Sequence, residues 1–442
     1  MFKRKLYDQL LDWKENSVGK TAALVEGPRR VGKSTTVEAF AKNEYKTHII
    51  IDFSIAPKHI IELFNDISDL NYLFLQLQLQ FNVQLENRKS VIVFDEVQFC
   101  PRARQAIKHL VADGRFDYIE TGSLISIRKN VSDILIPSEE VKIEMYPMDF
   151  EEFCWAQGNT SLTPLLKQTF EENKQLGDAT NRKIMRDFRL YMLVGGMPQA
   201  VATYVEENNF QAVDEVKRGI IALYEDDFRK INPSGVLSRL FDAIPGQLST
   251  KASRYQVSSV FSGRQACDIA EELAELQASK TVLCAFHASD PNVGMPASID
   301  VNKFKLYLAD TGLFVTLMFK DAKFTKNVVY DKLLADKLPV NLGFVYENIV
   351  AQTLTAKGQR LFYHTWPNLK TKHNYEIDFL ISRNKKISPI EVKSSRYKTH
   401  SSLDAFAKKY ASRIAEQYLI YTKDRCKDGP VTCLPTYMTQ FL

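Results

Sequence analysis

The apolar and polar positions of the chain fall into segments of different period. Thr21–Glu26, TAALVE, is a short apolar run that predicts a buried strand. Ser34–Asn43, STTVEAFAKN, follows with helical spacing. Val91–Glu96, VIVFDE, predicts a second buried strand, closed by two acids, and Phe116–Ser123, FDYIETGS, a third with a polar end. Phe74–Phe81, FLQLQLQF, alternates with period two, the pattern of a strand. From Thr163 to Asn232 the spacing is helical, but Gly195-Gly196 and Pro198 interrupt it, which predicts a turn and a new helix starting near Pro198. Farther on come a short helix, a turn, a second helix near Gln265–Leu276 and an apolar strand. Lys303–Phe314 predicts a strand and turn, and Asn341–Gly358 an amphipathic helix. RLFYHTW, EIDFLIS and SPIEVKS then read as three strands and SSLDAFAKKY as a helix.

A chain of 442 residues exceeds one typical core, so two to four domains are expected. With 45% apolar and 25% charged residues its composition is that of an ordinary globular protein. The net charge of +5 is small, but between Ile381 and Pro430 there are 12 Lys/Arg against 5 Asp/Glu. That local excess suits a polyanion such as nucleic acid, with DNA favoured; a solvated lysine-rich face gives the same count. The six cysteines form no CxxC and no zinc spacing, so free thiols in a reducing cytoplasm are expected. No signal peptide, run of 18 apolar residues, repeat or low-complexity tract is visible, so no membrane association is expected.

Gly27–Thr35, GPRRVGKST, fits G-x-x-x-x-G-K-[ST], and it sits between the predicted strand and helix that this motif needs. The candidate nucleotide-binding residues are therefore Gly27, Pro28, Arg29, Arg30, Val31, Gly32, Lys33, Ser34 and Thr35. Glycines let backbone N–H groups turn around phosphate oxygens, and the helix N-terminus adds partial positive charge. Lys33 is expected to reach the β- and γ-phosphates and Ser34 to bind Mg²⁺. Asp95 and Glu96 end a strand where open α/β sheets place ligand chemistry: Asp95 to hold Mg²⁺, Glu96 to polarise the attacking water. Thr121 and Ser123 end the next strand, where a polar γ-phosphate sensor belongs. No N-K-x-D guanine motif is present, which favours ATP over GTP.

GPRRVGKST, VIVFDEVQ, YIETGSL, MYPMDFEEF and LVGGMPQAV together resemble a family of prokaryotic AAA+ ATPases with a C-terminal, restriction-endonuclease-like domain of unknown function. The resemblance spans nearly the whole chain. It implies an α/β protein with a P-loop AAA+ core (1–162), a helical lid (163–235), a winged-helix segment (236–320) and a nuclease-like α/β domain (321–442). In that family a helix usually precedes the acid-bearing strand, so FLQLQLQF stays ambiguous. AAA+ sites are often completed by an arginine from a neighbouring subunit, which implies a homo-oligomer; Arg102, Arg104, Arg115 and Arg128 are candidates. Many relatives carry Gly-Arg just before the YP segment, but Ile134–Pro147, ILIPSEEVKIEMYP, has acids there. The second helix of the winged segment, ACDIAEELAEL, is acidic and suits protein contact better than DNA phosphate.

The C-terminal order of Glu347-bearing helix, strand, Asp378-bearing strand, Glu391-x-Lys393 strand and helix resembles the PD-(D/E)xK nuclease core. Residues two apart on a strand share a face, so Glu391 and Lys393 point together. Asp378, on the adjacent strand, lies beside Glu391 if the hairpin register allows. Glu347, Asp378 and Glu391 are the candidate Mg²⁺ ligands, and Lys393 orients a water or neutralises charge at phosphorus. A strand pair with charged ends is the plain alternative. Three functions compete: an ATPase joined to a metal-dependent DNA nuclease, an ATP-driven conformational switch whose nuclease-like domain only binds, and an ATPase that remodels protein partners.

Overall fold

The computed structural model describes residues 1–122, 137–250, 252–321, 330–331, 334–335, 343–369, 373–395, 397 and 399–442. These residues form two compact units, Met1–Tyr146 with Ala278–Lys280, and Pro147–Gln277 with Thr281–Leu442. The first boundary thus falls at 146/147, ahead of the expected 162.

In the first unit, strands β1 (Ala22–Glu26), β2 (Thr47–Asp52), β3 (Ser90–Asp95), β4 (Asp117–Gly122) and β5 (Glu140–Glu144) form a parallel sheet in the order β2-β3-β4-β1-β5. Every residue of β1, β3 and β4 is buried, as in a parallel sheet covered on both faces. Helices α1 (Lys5–Ser17) and α2 (Lys33–Glu44) supply Leu10, Trp13, Val37 and Phe40 to one face, against Ala23, Val25, Val91 and Val93. Helices α3 (Lys58–Glu62), α4 (Leu70–Phe81) and α5 (Pro101–Asp113) cover the other, with Ile60, Leu73, Leu77, Ile107 and Leu110 against Leu24, Ile92 and Phe94.

The alternating segment is helix α4. Asp69 caps it by accepting from the amides of Asn71 (2.9 Å) and Tyr72 (3.1 Å). Leu73, Phe74 and Leu77 face the core, while Leu75 and Leu79 are exposed. The period-two leucines are thus distributed around a cylinder, only some of them inward.

The second unit begins with helices Phe150–Ala156, Leu162–Glu171, Asp178–Val194, Pro198–Glu207, Phe210–Ile231 and Val236–Ser249. The predicted break is present: Asp178–Val194 ends at Gly195 (φ 86°), and Pro198 opens the next helix. The glycines also permit close packing. A Cβ on Gly195 would collide with Asp310 Oδ1, and one on Gly196 with the Met148 carbonyl. Asp310 fixes this notch by accepting from the amides of Gly196 (2.6 Å) and Leu313 (2.8 Å).

The remaining strands are β6 (Val282–Ala288), β7 (Ile299–Leu308), β8 (Phe362–Pro367), β9 (Asn374–Arg383), β10 (Lys386–Val392), β11 (Gln417–Tyr421), β12 (Cys426–Asp428) and β13 (Val431–Pro435). They form one sheet in the order β12-β13-β11-β10-β9-β8-β6-β7. The expected division at 320/321 therefore cuts a continuous sheet, because β6 pairs in parallel with β8. The antiparallel β6–β7 pair follows helices Val257–Val260 and Ala270–Ala278, the order expected of a winged segment. It is nevertheless a sheet edge and not a free wing. Helix Gly343–Ala356 is tied to β7 by Asn348, which accepts from the Leu308 amide (2.8 Å) and donates to its carbonyl (3.1 Å).

Candidate functional site

The C-terminal ends of β1, β3 and β4 deliver three groups to one edge of the first sheet. The loop after β1 uses positive φ at Arg30 (67°) and Gly32 (97°), and α2 starts at Lys33. Gly27 is required by sterics, because a Cβ there would overlap the Met145 carbonyl. Lys33 is buried; its Nζ donates to the carbonyls of Gly27 (3.0 Å) and Pro28 (2.9 Å). Burial lowers its pKa, opposed by the charges of Glu96 and Asp95. Ser34 Oγ donates to Asp95 Oδ1 at 2.8 Å, and Thr121 Oγ1 donates to the same oxygen. Thr121 Oγ1 in turn accepts from the Glu96 amide at 3.2 Å. Glu96 sits in the left-handed region (φ 54°), and its Oε2 accepts from Gln98 Nε2. A non-glycine residue held there is a strained conformation of the kind found at functional sites.

The structure thus brings Lys33, Ser34, Asp95, Glu96 and Thr121 together. Pro28 and Val31 are buried, whereas Arg29, Arg30 and Thr35 are exposed. Ser123 and Arg128 lie outside the described residues. Arg104 is unsuited to act as an arginine finger: it forms a buried bidentate pair with Glu140 (3.0 and 2.8 Å). Arg102 donates to the Asn65 carbonyl, and Arg115 pairs with Asp113. Sequence reasoning missed Arg4. It is buried and donates to the carbonyls of Val31 (2.6 Å) and Tyr146 (2.7 Å), bracing the loop. Its only trace in the sequence is one basic residue among several in MFKRK.

In the second unit, β9 and β10 pair with Ile390 opposite Phe379; one further step of that register sets Glu391 opposite Asp378. Asp378 Oδ2 accepts from the Val392 amide at 2.7 Å. Glu391 and Lys393 do share a face and form an ion pair at 3.0 Å, and Lys393 also donates to the Thr399 carbonyl. Among the described residues, the carboxylates with oxygens within 4.8 Å of one another are, however, Glu347, Glu376 and Asp378, not the expected Glu347, Asp378 and Glu391. Glu376 lies two residues before Asp378 on β9 and so on its face. The structure adds Lys305 of β7, buried with its Nζ 3.7 Å from Glu347 Oε1 and in contact with Glu376 Oε1. Tyr307 OH donates to Glu347 Oε2 at 3.5 Å. Burial, then Glu347, raises Asp378 well above the usual carboxylate range, and burial raises Glu391 against the pull of Lys393. Burial opposes charge on Lys305, but Glu347 and Glu376 lead the charges that raise its pKa well above normal.

The oxygen-only donor set suits a hard divalent cation. Val392 pairs with Ile420 of β11, and the residues after β11 line a cleft of about 1030 Å³. Arg182, Arg189, Tyr397, Lys423 and Arg425 line this cleft, with Asp178 and Asp424.

Three segments match known families. Residues 19–154 match a family described as an AAA domain, 185–323 a domain of unknown function (DUF8612), and 342–437 another domain of unknown function (DUF4143). An uncharacterized protein of Haemophilus influenzae is 25% identical over 183 residues, 40% of this chain and 43% of that protein. The chain thus matches less than half the length of that relative. Among solved structures, C. elegans PCH-2 aligns with 49% of this chain and 69% of its own, at 12% identity and TM-score 0.29. The Aeropyrum pernix ORC1 protein in complex with DNA aligns over 76% and 93%, at 10% identity and TM-score 0.24. The AAA match takes in the P-loop, Asp95, Glu96 and Thr121; with the parallel sheet it supports an AAA-type ATPase core. No helix among the described residues is long and apolar enough to cross a membrane.

Proposed function

We propose that the chain is an AAA+ ATPase that binds ATP with Mg²⁺ at Gly27–Thr35. The observation that carries this reading is the convergence of Ser34 Oγ and Thr121 Oγ1 on Asp95 Oδ1, beside a lysine held by loop carbonyls. Lys33 can exchange those carbonyls for phosphate oxygens, a charge-assisted and stronger bond. The first amides of α2 would add their partial positive charge to the same phosphate. Ser34 and Asp95 are the residues that would hold Mg²⁺, which supplies neutralisation of the developing phosphate charge. Thr121 fixes the Asp95 carboxylate and, through the Glu96 amide, the backbone that presents Glu96. Glu96 then orients the attacking water and accepts its proton. The test is ATP hydrolysis by the purified chain. Glu96→Gln should retain ATP and lose turnover, and Lys33→Ala should lose both; equal turnover in all three proteins refutes the reading.

A second reading concerns Glu347, Glu376 and Asp378, which support a divalent-metal site acting on phosphodiesters, with Lys393 beside the scissile group. The cleft lined by Arg182, Arg189 and Lys423, in the same unit, offers cations to a nucleic-acid backbone. Cleavage of plasmid DNA with Mg²⁺ or Mn²⁺, abolished by Lys393→Ala, is the expected result. Binding without cleavage would favour a switch or remodelling ATPase whose C-terminal part only grips its partner.

A further inference from the structure

Lys305 enters the carboxylate cluster from outside the segment that supplies the acids. It lies on β7, within the 185–323 match, whereas Glu347, Glu376 and Asp378 fall within the 342–437 match. Its side chain is 5% exposed, and its ammonium touches Glu376 Oε1 and lies 3.7 Å from Glu347 Oε1. The carboxylate oxygens lie within 4.8 Å of one another, a span that one cation can bridge. Lys305 Nζ already bridges two of the three. The second lysine does not serve this purpose, since Lys393 is held by Glu391 and the Thr399 carbonyl.

We propose that Lys305 is the resident cation of this cluster, and that a divalent metal gains Glu347, Glu376 and Asp378 only by displacing its ammonium group. The proposal rests on reading the cluster as a metal site. It makes that site gated: the lysine neutralises the acids at rest, and metal affinity is the difference between two cations competing for the same oxygens. An ammonium and a divalent ion on the same oxygens repel each other at close range, so withdrawal of the lysine stem accompanies metal entry.

The test is a Mn²⁺ titration of the nucleotide-free full chain, with free Mn²⁺ followed by electron paramagnetic resonance. Lys305→Met should bind one Mn²⁺ at least about tenfold more tightly than the unaltered chain. Asp378→Asn added to Lys305→Met should abolish that binding. Equal affinity with and without Lys305, both lost on Asp378→Asn, would overturn the gating while leaving the metal site standing. No Asp378-dependent Mn²⁺ in either protein would overturn the metal site and the gating together. Should Lys305→Met fail to fold without metal, recovery of a cooperative melt with Mn²⁺ reads the same competition, and absence of recovery contradicts it. The double variant Lys305→Met/Glu376→Gln keeps the charge balance, and it should bind Mn²⁺ through Glu347 and Asp378 more tightly than Glu376→Gln alone.

Discussion

Each of the two units holds a lysine-and-carboxylate site, and the two differ in what holds the lysine. Lys33 is held by two neutral carbonyls, while Asp95 is held by two hydroxyls. Lys305 is held by carboxylates. A neutral carbonyl is a weaker partner for an ammonium than an anion, so Lys33 is ready to exchange toward phosphate. Lys305 is neutralised in place. Buried Lys217 extends the comparison: it donates to the carbonyls of Leu193 (2.7 Å) and Gly312 (3.2 Å) and to Tyr330 OH (3.2 Å). The two carbonyl-held lysines have lowered pKa values and the carboxylate-held one a raised value. The residue type is the same in all three; the charge of its partner decides whether it is a receptor for an anion or a counter-ion.

The largest expected break is at the first site. Glu96→Gln should lower ATP turnover by about 10²–10⁴-fold, the usual span of a general base, with ATP binding kept. At the second site, Lys305→Met removes one partner of a buried ion cluster and should cost about 3–5 kcal/mol in metal-free denaturant unfolding. A loss under about 1 kcal/mol would show that the cluster is solvated and the contrast false.

Lys217 sharpens the contrast through pH. Burial pulls its pKa from 10.5 down to about 8, opposed by Asp214 and Asp310. Between about pH 8 and 10.5 the unfolded chain holds this proton and the folded chain does not, so stability rises with pH across that window. Below about pH 8 the penalty is present in full, at roughly 3 kcal/mol. The stability of the unaltered chain relative to Lys217→Met should therefore improve from pH 8 to pH 10. A flat or falling difference would mean the carbonyls hold Lys217 as firmly as carboxylates would. The smallest effect is expected for Thr121→Val, which deletes one donor to Asp95 and should cost about 1 kcal/mol of stability or of Mg²⁺-dependent ATP affinity.

The legibility of each site in the sequence follows the same division. The P-loop is contiguous, and Asp95 and Thr121 end recognisable strands, so local pattern was enough to find them. Glu391 and Lys393 were found by the two-residue period of a strand. Glu376 obeys that period with Asp378 in EID, but the period alone does not separate a ligand from an ordinary strand acid. Lys305 could not be read locally, because it depends on β7 joining the sheet of β8 and β9 at long sequence separation. The same non-local pairing is why a boundary at 320 looked natural and is crossed by the sheet. FLQLQLQF was ambiguous because leucines on two faces of a helix can mimic alternation. Asp69, whose side chain caps that helix, was the local signal that could have resolved it.

The most direct measurement is calorimetric titration of Mg²⁺·ATP into Glu96→Gln, with and without Lys33→Ala. One ATP per chain is expected in the first protein, and at least about a tenfold loss of affinity in the second, the scale of one charge-assisted hydrogen bond. Equal binding in both, or none in the first, would contradict the claim that a lysine held by neutral carbonyls is the receptor for phosphate.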